Sequence, residues 1–515
     1  MDNYNKMNSL GKLILLAILI LNLLIGSYIL FSSSSSEPST LSKNSLIYRE
    51  NSDYKSSQVW ADYLKLLNRA KIYERVEKRS DYCDMVKLYR ANHKTMLNDD
   101  GMPVRYERKV YADYKPLNLV REVIEQVATP VFKNHHLLTK DTEPLEPIPY
   151  NINMFIHKTP HWHIYYEIDK EFLCPGQRYN HIPGNDALIY KDMSAYHAKK
   201  YGEKFKGREH CFSAWSFMPI TIDLSDEKDC KAYFETLKPT DNIYWILKKA
   251  RNSHNGEGIT IMDKTEVNNL QTRYKNGKMC GKDPEKLIAQ QYIGNPLTVY
   301  NRKFDFRVYM FVANSDPLIA MYHDGFLRVS LAEYSQNSSV SNSHITNTHL
   351  AKEVLNKMGL TEHEKEEAMK EQMWTFEKFG EYMRAQKLVV GDWINDYVRP
   401  VMKKRMLEMV LIHQNNFLKH PGVFELFGCD FMFDTELRLW LLECNRSPAM
   451  QATSEEKGKL QGDMTKDILE VEYAILYGAN LTEVTARTGF QFIYDERLPS
   501  PQKYFGVITE ECFPE

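Results

Sequence analysis

Phe424 to Asn445, FELFGCDFMFDTELRLWLLECN, consists of two apolar runs around a polar turn at Asp434-Thr435-Glu436. Runs this short and this apolar are satisfied by a β-hairpin within a larger core. Into that pair the sequence sets Asp430, Glu443 and Asn445. Side chains two apart on a strand share a face, so Glu443 and Asn445 point together. If Asp430 faces them across the ladder, three oxygen donors converge in a water-poor cleft, a donor set suited to Mg²⁺. The alternative is a capped hairpin whose acids reach solvent.

The chain around this hairpin has 515 residues, enough for two or three packed subdomains. Hydrophobic residues at 43% and aromatics at 12% predict a folded protein. A formal charge of −2 gives no global reason to expect nucleic acid as a partner. The eight cysteines are scattered without a Cys-x-x-Cys pair, so zinc spacing is absent. They predict no disulfide framework, which suits a reducing compartment. Cys429 and Cys444 alternate away from the proposed metal ligands, toward packing.

At the N-terminus, Leu13 to Phe31 carries no charge. As a helix it would be about 28 Å long, close to one bilayer core. We read residues 1–36 as a membrane anchor followed by a Ser-rich tether, against a cleaved signal peptide as the alternative. Lys6 and Lys12 before the segment, and Lys43 and Arg49 after it, leave orientation open. Residues 55–144 are a helical region, with amphipathic spacing over Gln58–Leu97 and a second candidate over Leu117–Val131. Prolines 144, 147 and 149 precede strands at Ile152–Ile156 and Trp162–Ile168. Further strands are expected at Ile243–Lys248 and Ile259–Met262. A strand-rich stretch from Phe304 to Ser330 has turns at Asn314–Pro317 and His323–Gly325. A helical block covers Lys352–Leu418, broken near Val389–Gly391, and a last helix covers Thr465–Tyr477. The fold class is α+β or α/β with antiparallel sheets.

Lys248 ends one strand, and a loop with Gly256 and Gly258 follows. Strand, lysine and flexible loop make a usable phosphate cradle, although a plain turn has the same pattern. In Lys303-Phe304-Asp305-Phe306-Arg307, alternation puts Lys303, Asp305 and Arg307 on one face and the phenylalanines on the other. Two cations around a carboxylate can hold a phosphate chain; the alternative is a salt-bridge ladder on a solvated face. Arg328 adds another guanidinium, and Thr346 with Asn347 reads equally well as a helix cap. Arg399, Lys403, Lys404 and Arg405 are candidates to line a groove for an acidic partner, or a solvated helix face.

Five stretches together resemble one family: QRYNHIPG (Gln177–Gly184), YWILKK (Tyr244–Lys249), QQYIGNPL with KFDFRVYMFV (Gln290–Leu297, Lys303–Val312), HITN (His344–Asn347) and the hairpin through Met450. They are similar to the tubulin–tyrosine-ligase-like family, over roughly residues 145–485. The resemblance implies an ATP-grasp core at about 241–450 and a tail over 486–515. It implies ATP and Mg²⁺ as cofactors. Lys248, Gly256, Gly258, Lys303, Asp305 and Asn347 would lie on the nucleotide, and Gln290, Gln291, Tyr292 and Ile293 would form the adenine hinge. Asp430, Glu443 and Asn445 would hold the metal, Arg307 the incoming amino acid, and Arg328 would stand near the transferring phosphate. The implied reaction joins an amino acid, glutamate by preference and glycine as alternative, to glutamate side chains of tubulin C-terminal tails through an acyl phosphate. A catalytically weak tubulin-binding protein is the other class. Tubulin as partner implies a catalytic domain on the cytoplasmic side, microtubule-associated or ciliary. Lys249, Asn255 and the Thr348-His349 pair depart from the family pattern.

Overall fold

A computed structural model describes residues 110–113, 154–157, 173, 176–208, 211–240, 242–251, 258–335, 346, 355–450 and 454–507. All lie in the larger of two units, Ile47–Glu515. Leu13–Phe31, Gln58–Leu97, Leu117–Val131 and Trp162–Ile168 fall outside the described residues. Among the described residues no helix is long and apolar enough to cross a membrane.

Three sheets build the described part. Strands β1 (Val110–Asp113), β2 (Met154–His157) and β3 (Arg178–Tyr179) form a parallel sheet, where antiparallel pairing was expected. Long connections between them permit the parallel arrangement, which a short hairpin turn cannot. Helix α1 (Lys191–Lys204) leads into a four-stranded antiparallel sheet. Its elements in chain order are β4 (Thr221–Asp223), α2 (Glu227–Thr236), β5 (Trp245–Lys249), β6 (Thr260–Ile261), α3 (Lys264–Arg273) and β7 (Leu287–Gln291). Asp226 and Asp263 cap the two helices by accepting from the backbone N–H three residues on. Leu224, Tyr233, Val267, Leu270 and Tyr274 make a small core beneath the sheet.

The largest sheet has seven strands: β8 (Thr298–Val299), β9 (Arg302–Ser315), β10 (Leu318–Glu333), β11 (Met373–Trp374), β12 (Glu425–Phe433), β13 (Leu439–Arg446) and β14 (Gln491–Asp495). Strand β9 is central, with β10 on one side and β12 on the other. Its alternation sorts two cores: Phe304, Phe306, Val308, Met310 and Val312 face one, Tyr309, Phe311 and Ala313 the other. The expected turn at His323–Gly325 is instead a bulge inside β10, where the register with β9 shifts between His323 and Phe326. A Cβ at Gly325 would stand 1.8 Å from the Arg307 carbonyl oxygen, so glycine serves a close strand approach here.

The helical block resolves into α4 (Glu362–Gln372), α5 (Phe376–Ala385) and α6 (Arg399–His413), with β11 inserted to pair with Leu327 and Arg328. Helix α7 starts earlier than expected and spans Glu455–Tyr477, because Ser454 accepts from Lys457 N–H as its cap. Strand β14, in the segment read as a tail, pairs with β10.

The cysteine reading is corrected. Cys230 on α2 and Cys280 form a disulfide across the small core, and Cys429 and Cys444 form another. Cys429 and Cys444 do turn away from the proposed ligands, but as direct partners in the β12/β13 ladder they bond each other. Scattered sequence positions concealed pairs that the topology brings together, and disulfides weigh against a reducing compartment.

Candidate active site

The hairpin forms as its sequence dictates. Asp434 closes it: Oδ1 accepts from the Glu436 and Arg438 amides and Oδ2 from the Trp440 indole. Asp430 and Glu443 are direct partners across β12/β13, and Gly428 is the partner of Asn445. The three proposed ligands therefore share one face. Asn445 Nδ2 donates to Glu443 Oε1 at 3.0 Å, which leaves the amide oxygen available as a donor to a metal.

Strand β9 meets that face edge-on, with Arg307 the partner of Asp430. Arg307 donates through Nε at 2.5 Å and Nη2 at 3.0 Å to the two Asp430 oxygens. Arg328 grips both Asp305 oxygens at 2.7 and 2.6 Å and reaches Asp430 Oδ2 at 2.9 Å. Thr346 donates to Asp305 Oδ2 at 2.7 Å, so its hydroxyl serves this network and not a helix cap. The ladder weighed as an alternative thus exists, but its members are almost wholly withdrawn from solvent. Burial alone would lower the Arg328 pKa; Asp305 and Asp430 outweigh it and raise it, keeping the guanidinium charged.

Lysines gather beside the carboxylates. Lys248 donates to Gln290 Oε1 at 2.7 Å, and Gln290 in turn donates to Thr221 Oγ1. Lys191, from the first turn of α1, lies 3.2 Å from Glu443 Oε2. Lys303 sits 5.1 Å from the Tyr292 ring centroid and 5.8 Å from that of Tyr334. Burial, with Lys248 beside it as a second cause for Lys303, pushes both Lys248 and Lys303 down to about 8. Burial opposes ionisation of Glu443, but Lys191, Lys248 and the Asn445 amide hold its carboxyl well below the usual range.

The hinge stretch runs out of β7. Gln291 N–H donates to the Ile220 carbonyl and Tyr292 N–H to that of Tyr244. The Gln290 side chain is committed to Lys248 and Thr221, so its effect on a nucleotide would pass through the lysine. Ile293 packs with Met432 and Trp440 in a small apolar cluster suited to one face of a base. Gly258 has φ +71°, and a Cβ there would press on the Lys249 side chain at 3.0 Å. Gly256 and Asn347 lie outside the described residues.

Lys248, Lys303, Asp305, Arg307, Arg328, Asp430, Glu443 and Asn445 are thus brought into one contiguous network. Two carboxylates and an amide form an oxygen-only donor set, fitting a hard cation that shares its shell with phosphate and water. Among the described residues no group of three or more His, Cys, Asp or Glu is placed to hold a metal ion, so the two carboxylates would need the Asn445 amide to complete the set. Lys191 was missed, since nothing local distinguishes a lysine opening a helix. The basic cluster on α6 is largely self-satisfied: Arg399 pairs with Asp324 and Glu377, and Arg405 with Glu408.

Residues 168–480 match the sequence pattern of the Tubulin-tyrosine ligase family. The chain is 29% identical over 269 residues to Tubulin glycylase 3A of Drosophila melanogaster, covering 51% of this chain and 25% of that protein. It is 30% identical over 252 residues to an inactive polyglycylase of Homo sapiens, covering 46% and 36%. It is 28% identical over 306 residues to a tubulin polyglutamylase of Caenorhabditis elegans, covering 58% and 46%. The chain therefore spans a quarter to a half of the length of these relatives.

Proposed function

The chain belongs to the tubulin-tyrosine ligase family, and we propose that it is an ATP-dependent ligase joining an amino acid to glutamate side chains of tubulin C-terminal tails. One observation carries this reading: Asp430 and Glu443 stand opposite each other, flanked by lysines on one side and guanidiniums on the other.

Mg²⁺-ATP, when bound, would supply the phosphoryl group that activates the acceptor carboxylate as an acyl phosphate. Asp430, Glu443 and the Asn445 amide would hold the metal. Lys248 and Lys303 would neutralise phosphate charge, since both are enclosed cations without an ion pair to a carboxylate among the described residues. Ile293, with Met432 and Trp440, would cover the base. Arg328, fixed by two aspartates, would oppose charge on the transferring group with little reorganisation. Arg307 keeps Nη1 outside its Asp430 contacts and would orient a carboxylate of the incoming amino acid.

Glutamate is the preferred amino acid and glycine its competitor; relatives of both kinds are similar to this chain. Action on tubulin would place the domain at microtubules or cilia on the cytoplasmic side, with Leu13–Phe31 as the proposed anchor. The two disulfides favour a second reading, a ligase of the same chemistry acting on another acidic tail in an oxidising compartment.

Mass spectrometry of tubulin C-terminal peptides after incubation with ATP and mixed amino acids tests the reading. A gain of one or more glutamyl residues is expected, and glycyl gains would reassign the donor. No gain on tubulin with any amino acid would refute it.

A further inference from the structure

Helix α7 carries one residue that the ligase scheme leaves unused. Lys457 lies in its first turn and is only 6% exposed. Its Nζ stands 5.8 Å from the centroid of Phe326, the β10 partner of Arg307. Among the described residues no carboxylate pairs with it. Its charged neighbours are Arg307 and Arg328, and burial together with these two cations pushes its pKa down to about 8. An ammonium withdrawn from water costs several kcal/mol unless an anion compensates it. Here the protein offers like charge instead.

The surrounding charges are unequal. Arg307, Arg328 and Lys457 face Asp305 and Asp430, and both aspartates are already gripped by the arginines. The start of α7 adds the partial positive charge of a long helix, while Glu455 and Glu456 in the same turn point to solvent. The helix is held in place here, because Gln461, one turn on, donates to the Ala449 carbonyl just past Asn445.

We propose that Lys457 is a carboxylate-anchoring residue beside Arg307 and Arg328, receiving a substrate carboxylate from the side of the site away from the lysines that would face the nucleotide. A carboxylate there gives Lys457 the partner it lacks and balances the cluster. The two sources are the free amino acid and the acidic tail. The source rests on the ligase reading; the anion subsite does not.

The experiment compares wild type, Lys457→Met and Lys457→Arg. Lys457→Met should melt no lower than wild type, since it removes an uncompensated buried charge. It should raise KM for free glutamate ten- to a hundredfold, the effect of losing one charge-assisted hydrogen bond of roughly the usual strength. KM for ATP should stay unchanged, and Lys457→Arg should restore most of the loss. A rise in KM for the tail peptide instead would assign the same anchor to the acceptor. Unchanged KM for both substrates, or a melting temperature well below wild type, would overturn the proposal. Should wild type ligate nothing, the thermal shift given by free glutamate and by a glutamate-rich peptide still decides. A shift in wild type and Lys457→Arg that is absent in Lys457→Met supports the anchor. Equal shifts in all three, or none, refute it.

Discussion

The two antiparallel sheets that contribute to the site are held together by different means. The seven-stranded sheet is a true interior: every residue of β9 except Arg302 and Arg307 is buried. In the four-stranded sheet, β5 is only partly covered along its length, its core is small, and a disulfide crosses it. The buried sheet carries the aspartates and arginines, pinned by bidentate bonds. The thinner one carries Lys248, held by a single glutamine. The bidentate carboxylate–guanidinium pairs thus sit where packing is dense, whereas of the two proposed phosphate lysines Lys303 shares the dense sheet and Lys248 stands on the sparse one.

The largest effect should separate the sheets by stability. Phe306→Ala, at a fully buried β9 position, should cost about 3–5 kcal/mol, whereas Leu247→Ala on β5 should cost under about 2. Urea unfolding of both variants measures this, and equal losses would erase the contrast. Next, Glu443→Gln should lower kcat by on the order of 10²–10³, while the unfolding midpoint falls only modestly, since the ion pair with Lys191 that it loses is partly solvent-exposed, the Glu443 side chain being 28% exposed. A variant that lost activity only through unfolding would blur the division between framework and site. Replacing Cys230 and Cys280 together with alanine should destabilise the small sheet by about 2–4 kcal/mol. Hydrogen exchange should then quicken in β5 and β7 and not in β9.

The smallest effect is with pH. Lys248 and Lys303 titrate near 8 in the folded protein and near 10.5 when unfolded. Between about pH 8 and 10 the unfolded chain therefore binds more protons, and stability of the ligand-free protein should rise with pH. Affinity for ATP should fall over the same window as the lysines lose charge. Affinity that stayed level to pH 10 would show that neither lysine meets phosphate.

What the sequence disclosed follows the range of its signals. Strand alternation placed Lys303, Asp305 and Arg307 on one face, and two apolar runs around Asp434 marked the hairpin, because both patterns are local. Arg328 grips Asp305 through a register that a bulge at Gly325 creates, and no periodicity announces that bulge. Lys191 and Lys457 enter the site from helices far away in the chain, where a lysine looks like any solvated one. The Cys230–Cys280 pair was hidden for the same reason, being 50 residues apart and meeting only once α2 packs on its sheet, whereas Cys429 and Cys444 are 15 residues apart on the predicted hairpin, and their pairing depended on its exact register. Strand β14 escaped because its partner β10 lies far back in the chain.

The central claim is that Asp430, Glu443 and Asn445 hold a divalent cation beside Lys248 and Lys303. Calorimetric titration with a non-hydrolysable ATP analogue, with and without Mg²⁺, tests it in wild type and Glu443→Gln. The account predicts at least about tenfold tighter binding with Mg²⁺ in wild type, and little Mg²⁺ dependence once Glu443 is neutralised. Equal Mg²⁺ dependence in both proteins, or no nucleotide binding by wild type, would contradict it.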